Sequence, residues 1–234
     1  MHDPVEFAAS LKRFSGRVAL FPLPNVVLFP HALLPLHIFE SRYRRMVADA
    51  LDGEGSIAIA QFRPGWERLP AADVPAIYDT VCLGRIEAYE RFPDGRYGLI
   101  LQGLARAVVL GEEPGDLPYR VARVEVRADR PEPAGDVARD RLRRDVLETF
   151  RDAYRTDRLD RLFHEAAETS LPLGMVCDVV ASLLSLSVEQ SQELLDATDV
   201  ERRCAILLGH LRALRQKARR RTPPRMFPPD FSVN

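Results

Sequence analysis

Three observations predict an α+β fold whose strands and helices are segregated along the chain. Residues 18–36 form a proline-punctuated apolar stretch, and several short apolar runs and a tight-turn signal follow it before residue 130. Among those runs lies one amphipathic helical pattern, beginning at Ile38. Beyond Arg130-Pro-Glu-Pro-Ala-Gly135 no convincing strand remains, and apolar residues recur only at helical spacing. The expected division is a β-rich unit with one embedded helix over 1–130, a helical bundle over 131–221 and a proline-rich tail over 222–234.

Prolines at 22, 24, 30 and 35 exclude a central strand or a helix interior, so residues 18–36 are expected as short edge strands and turns. From Ile38 onward, Phe39, Tyr43, Met46, Val47, Ala50 and Leu51 share one helical face. Ile38 and Phe39 should fill the core, and Gly53 offers a left-handed cap. Ser56 to Phe62 reads as a short strand. The following segment to Asp79, with Pro64, Pro70, Pro75 and the only tryptophan, reads as a long loop. Strands are expected near 80–91, 96–110 and 119–128, the first two joined through Pro93-Asp-Gly95, where glycine admits the positive φ of a tight turn.

Asp136 is a candidate cap for a helix that turns Val137, Leu142, Val146, Leu147 and Phe150 to a core. A second helix is expected over about 158–169 and a buried one over Met175 to Leu184. Ser187-Val-Glu-Gln190 has the capping-box form that opens another. The last begins at Asp199, with Val200, Cys204, Leu207, Leu208, Leu211 and Leu214 on one stripe.

The chain of 234 residues is long enough to bury a substantial core, and its net charge of −1 gives no overall field to steer it to nucleic acid or membrane. All but Lys12 and Lys217 of the 33 basic residues are arginine, a bias attributable first to genome composition. Cys82, Cys177 and Cys204 lack metal-site or redox spacing and read as small buried hydrophobes. There is no signal-peptide pattern at the start and no apolar run near the ~18 residues of a membrane span, so a cytoplasmic protein is expected.

Residues 20–46 (LFPLPNVVLFPHALLPLHIFESRYRRM), residues 92–108 (FPDGRYGLILQGLARAV) and Thr198-Asp-Val-Glu-Arg-Arg203 together resemble the amino-terminal, substrate-binding domain of Lon-type ATP-dependent proteases. The resemblance runs roughly from Gly16 to Lys217 and implies a PUA-like β unit followed by a helical bundle. A Lon-type ATPase needs G-x-x-x-x-G-K-[ST], and its peptidase a Ser-Lys dyad. Neither Lys12 nor Lys217 follows a glycine or precedes a hydroxyl residue, which excludes the ATP-binding motif. The resemblance therefore implies a free-standing, non-enzymatic recognition domain without cofactor, with unfolded or client proteins and peptides as partners alongside a separate ATPase or protease.

Candidate binding residues are Trp66, Glu40, Arg42, Tyr89, Phe92, Tyr97 and Arg106. Trp66, on a glycine- and proline-flanked loop, either presents a rigid face to a partner or folds back over the β unit. Glu40 and Arg42 either bind a guest backbone or serve the helix start, where a carboxylate complements the dipole. The three aromatics around the hairpin either extend an apolar surface or pair across strands. Arg106, within an apolar run, is expected to form a structural ion pair, with ligand contact as the alternative. Arg212, Arg215, Lys217, Arg219, Arg220 and Arg221 form a candidate anion-binding run, which together with the PUA-like character raises RNA binding as an alternative function. No nucleophile elbow or metal-binding helix signature appears, and Cys204 and His210 lie about 240° apart on a helix. A small hydrolase is the remaining alternative, and no metal or cofactor is expected.

Overall fold

The computed structural model describes residues 11, 14–70, 73–130, 135–153 and 171–221. Six strands form one sheet: β1 (Arg17–Leu23), β2 (Leu33–Ile38), β3 (Ser56–Gln61), β4 (Thr80–Arg91), β5 (Tyr97–Glu112) and β6 (Arg120–Arg127). Their order is β2-β5-β4-β3-β1-β6, and β6 pairs again with β5, so five of the strands close into a barrel while β2 extends it on one flank. β5 serves all three of its neighbours: Tyr97–Gln102 pairs with β2, Arg106–Glu112 with β6, and Tyr97–Val108 with β4. Register shifts at Leu83/Gly84, Ile86/Ala88 and Val109/Gly111 supply the bends that this requires.

β1 is therefore not the edge strand that its prolines suggested: it runs parallel to β3 and antiparallel to β6. The pairing with β6 ends at Leu20, so Pro22 lies where β1 borders β3 alone and its missing N–H costs no β6 bond. Pro35 sits in β2, a true edge paired only with β5. Where the chain between β1 and β2 crosses β5, Gly103 is essential, because a Cβ there would lie 2.0 Å from the Phe29 carbonyl oxygen. The crossing is fastened by the His31 N–H to the Gly103 carbonyl (2.8 Å) and the Gly103 N–H to the Ala32 carbonyl (2.9 Å). Gly95, at φ +82°, makes the β4–β5 turn as expected.

Helix α1 (Ser41–Asp52) buries Tyr43, Met46 and Val47. Two details of its ends depart from expectation. Phe39 precedes the helix and is 63% exposed, while Ile38 alone enters the core. Gly53 has φ −112°, and the left-handed residue is Gly55 two positions later.

The carboxyl-terminal part holds α2 (Asp136–Ala153), α3 (Leu173–Leu183), α4 (Val188–Asp196) and α5 (Val200–Arg221). Val146 and Phe150 of α2 are buried, but Val137, expected in the core, is 83% exposed because the first turn of α2 lies beyond the packed region. Ser187 and Gln190 form the reciprocal capping box, and the Asp199 carboxylate accepts from the Arg202 N–H (2.9 Å). The expected helix over 158–169 and the tail 222–234 lie outside the described residues. One apolar cluster fills the barrel around Leu20, Ala58, Val81, Leu83 and Ala107. A second runs from Phe21, Met46 and Leu101 to Phe150, Leu195 and Leu207, so the helices share a continuous core with the sheet and α1.

Candidate functional site

A cleft of about 1010 Å³ opens at one end of the barrel. Its walls are the end of β1, the β2–α1 junction, the segment after β3 and the β5–β6 connection. The sequence favours this gathering: prolines at 24, 70, 75, 114 and 118 lie in the segments between strands and, lacking an N–H, hinder them from closing the gap by ladder pairing. Their apolar side chains remain in water. Phe39 is 63% and Val74 72% exposed, with Leu69 and Leu117 also exposed.

Trp66 opens a short 3₁₀ turn (Trp66–Arg68) entered through Gly65 at φ +91°. Its ring stacks on Phe62 at 4.9 Å with 25° between the planes. It is half-buried and lines the cleft, thus covering the barrel end and contributing to the open surface at once. Glu40 is the residue before α1, but its carboxylate makes no capping bond. It accepts instead from Arg42 (3.0 Å), whose guanidinium lies 4.6 Å over the ring of Tyr43. Burial raises the Tyr43 phenol above its ordinary pKa, and the Tyr43 ring packs 4.5 Å from Phe21 beneath the cleft. On the far wall, Tyr119 donates to Asp49 (2.8 Å), and burial together with that carboxylate pushes its pKa up to about 12. Both phenols are therefore protonated wall groups rather than bases.

The other predicted residues divide. Tyr89, Phe92 and Tyr97 surround the β4–β5 hairpin and do not line the cleft. Tyr97 is buried, Phe92 half-buried and Tyr89 exposed. His37 joins the two regions, since it lines the cleft and its ring lies 5.8 Å from that of Phe92.

Arg106 is withdrawn from the surface and is not available to a guest peptide. Only 2% exposed, it donates to both oxygens of Asp178 (2.9 and 2.5 Å) and to the Leu195 carbonyl (2.9 Å). Arg203 donates to both oxygens of Asp129 (2.9 and 2.6 Å) and lies 3.4 Å from Asp178. This four-member network ties β5 and the chain after β6 to α3 and α5. Gly174 leaves it room, because a Cβ there would fall 2.5 Å from an Asp129 oxygen. In sequence Arg203 stands out only as the end of the Thr198–Arg203 motif, with no site role, and its partners Asp129 and Asp178 are not among the candidate residues. A signal existed in Asp178, the lone acid in the apolar run Leu173–Leu183.

The basic run lies on α5, away from the cleft lining. Arg212 and Lys217 are exposed, Arg215 pairs with Asp152 (3.3 Å), and Arg219, Arg220 and Arg221 complete the helix. Cys82, Cys177 and Cys204 are buried and form no disulfide; burial pushes the Cys82 thiol up, and the hydrogen bond between Cys177 and Cys204 is the main cause that pushes the Cys177 thiol up. Among the described residues no cluster of His, Cys, Asp and Glu could hold a metal ion, and no helix is long and apolar enough to cross a membrane.

The family model described as the ATP-dependent protease La (LON) substrate-binding domain matches residues 17–213. The Lon protease of Anaeromyxobacter dehalogenans is 28% identical over 205 residues, a match covering 84% of this chain and 23% of that protein. That of Roseiflexus castenholzii is 30% identical over 200 residues, covering 84% and 24%. The chain thus spans about a quarter of the length of these relatives. Among solved structures, a Lon N-terminal domain protein from Xanthomonas campestris is similar at 28% identity and TM-score 0.59, over 82% of this chain and 97% of that one. The N-terminal domain of the Mycobacterium avium complex Lon protease shares the fold at 16% identity and TM-score 0.65, over 84% and 98%.

Proposed function

The chain belongs to the LON substrate-binding domain family, and from that premise we propose that it recognises client proteins by holding their exposed apolar segments in the barrel-end cleft. The observation that carries this reading is the cleft itself, where Phe39 and Val74 stand in water beside Trp66. Large apolar side chains gathered at a concave surface cost solvation until a partner covers them, and a rigid tryptophan loses little entropy on contact. Recognition on this reading requires no chemistry from the chain. It acts without catalysis or cofactor, in the cytoplasm, and leaves unfolding and cleavage of the client to a separate ATPase or protease.

The test is titration of an unfolded, carboxymethylated protein or an apolar peptide into the wild-type chain and Phe39→Ser. Phe39 touches the core so little that its loss leaves stability within about 0.5 kcal/mol, whereas affinity should fall roughly fivefold or more, as for an interface anchor. Micromolar binding unchanged by Phe39→Ser and by Trp66→Ala would move recognition away from the cleft.

A further inference from the structure

The cleft has walls of unequal charge. Glu40, Glu67, Asp73, Glu112 and Glu113 line it against Arg42 and Arg120. Both guanidinium groups are committed: Arg42 to Glu40 (2.9 Å), and Arg120 to Glu112 (2.5 Å) and the Pro75 carbonyl (2.9 Å). Glu113 is held by Arg17 (2.7 Å) and Arg123 (3.1 Å), with the Arg17 hydrogen bond the main cause of its depressed pKa. Glu67 and Asp73 remain. They are exposed, flank Leu69, and carry no ion pair among the described residues. The uncommitted charge of the cleft is therefore negative, and it sits on the wall that also supplies Trp66 and Val74.

We infer that the cleft selects extended apolar peptide segments that carry lysine or arginine beside the apolar core, and rejects those flanked by acidic residues. This rests on the recognition reading above and adds its charge preference. A guest ammonium or guanidinium within reach of Glu67 and Asp73 gains attraction at a partly desolvated rim. A guest carboxylate there meets like charge, with no free arginine in the wall to receive it. Discrimination of this kind is a difference of affinities in which the repulsive element counts as much as the attractive one.

The experiment is calorimetric titration of the full chain with three peptides that share one apolar core and are flanked by lysine, glutamine or glutamate. Wild type should bind the lysine peptide about fivefold more tightly than the glutamate peptide at low salt, with glutamine between, and the spread should shrink in 0.5 M salt. Glu67→Gln with Asp73→Asn should collapse the spread while leaving the glutamine peptide's affinity within about twofold. Equal binding of all three would overturn the charge preference and leave apolar recognition standing. Binding of none would overturn both. If deleting residues 222–234 tightens the glutamine peptide, the chain's own tail occupies the cleft and the inference fails. If wild type self-associates and the double variant does not, a second copy is the occupant and the inference fails likewise.

Discussion

The barrel-end cleft and the barrel–helix junction are built from the same chemical pairing, arginine with carboxylate, in opposite solvent conditions. At the junction both members of the Arg106–Asp178 pair are 2% exposed. At the cleft Arg42 and Glu40 are 53% and 42% exposed. Water decides what each pair does. Buried charges must hold their partners, so the junction fixes how the helices sit on the sheet. The exposed pairs exchange readily with solvent and leave the cleft rim free to meet another molecule.

The largest expected effect comes from breaking the junction. Arg106→Ala leaves Asp178 buried beside only Arg203, and unfolding stability should fall by about 3–5 kcal/mol, measured as the urea midpoint. Arg106→Met with Asp178→Leu removes both charges and should recover most of that loss. If the single substitution costs under about 1 kcal/mol, the junction is no different from the cleft rim and the contrast fails.

Acid should probe the same junction with a smaller effect. His31 is held below its ordinary pKa of 6.5 chiefly by burial; the Asp178 and Asp129 carboxylates pull upward and Arg106 and Arg203 downward. Unfolded His31 takes up a proton near 6.5 and folded His31 resists it, so the unfolded state binds more protons and stability falls as pH drops below that value. Asparagine tolerates the positive φ at this position. His31→Asn should therefore show a smaller drop in urea midpoint between pH 7.5 and 5.5 than wild type, and parallel drops would remove His31 from the junction's electrostatics.

The sequence made the local elements legible because their signals are local: Ser187 with Gln190 for a cap, Pro93-Asp-Gly95 for a turn, and one apolar stripe on α5. Closure of the barrel was not legible. It depends on β6 meeting both β1 and β5, pairings set by bends and by the Gly103 crossing rather than by any single run. For the same reason Pro22 reads as the signal of an edge strand, whereas β1 is interior as far as Leu20 and only Pro22's end of it lies beyond the reach of β6. Of the candidate residues, Trp66, Glu40 and Arg42 meet at one cleft, whereas Arg106 shares their polarity but lies within the core. Sequence shows that a buried guanidinium needs a partner, but not that Asp178, far along the chain, supplies it.

The smallest effect tests the other side of the contrast. Arg42 gives Glu40 an exposed ion pair and lies over the Tyr43 ring, contributions worth about 0.2–1 kcal/mol and 0.5–1 kcal/mol at exposed sites. The two are not independent, since one guanidinium serves both. Arg42→Gln should therefore shift unfolding stability by no more than about 1 kcal/mol, and the shift should diminish in 0.5 M salt because screening removes the ionic part and spares the packing of the stem. The same substitution unties Glu40 and adds a third uncommitted carboxylate to the cleft, so a lysine-flanked apolar peptide should bind slightly more tightly even as the fold weakens. A fall in peptide affinity would instead make Arg42 a direct contact of the guest, and a stability loss above about 2 kcal/mol would mark this rim as a structural joint of the kind found at Arg106.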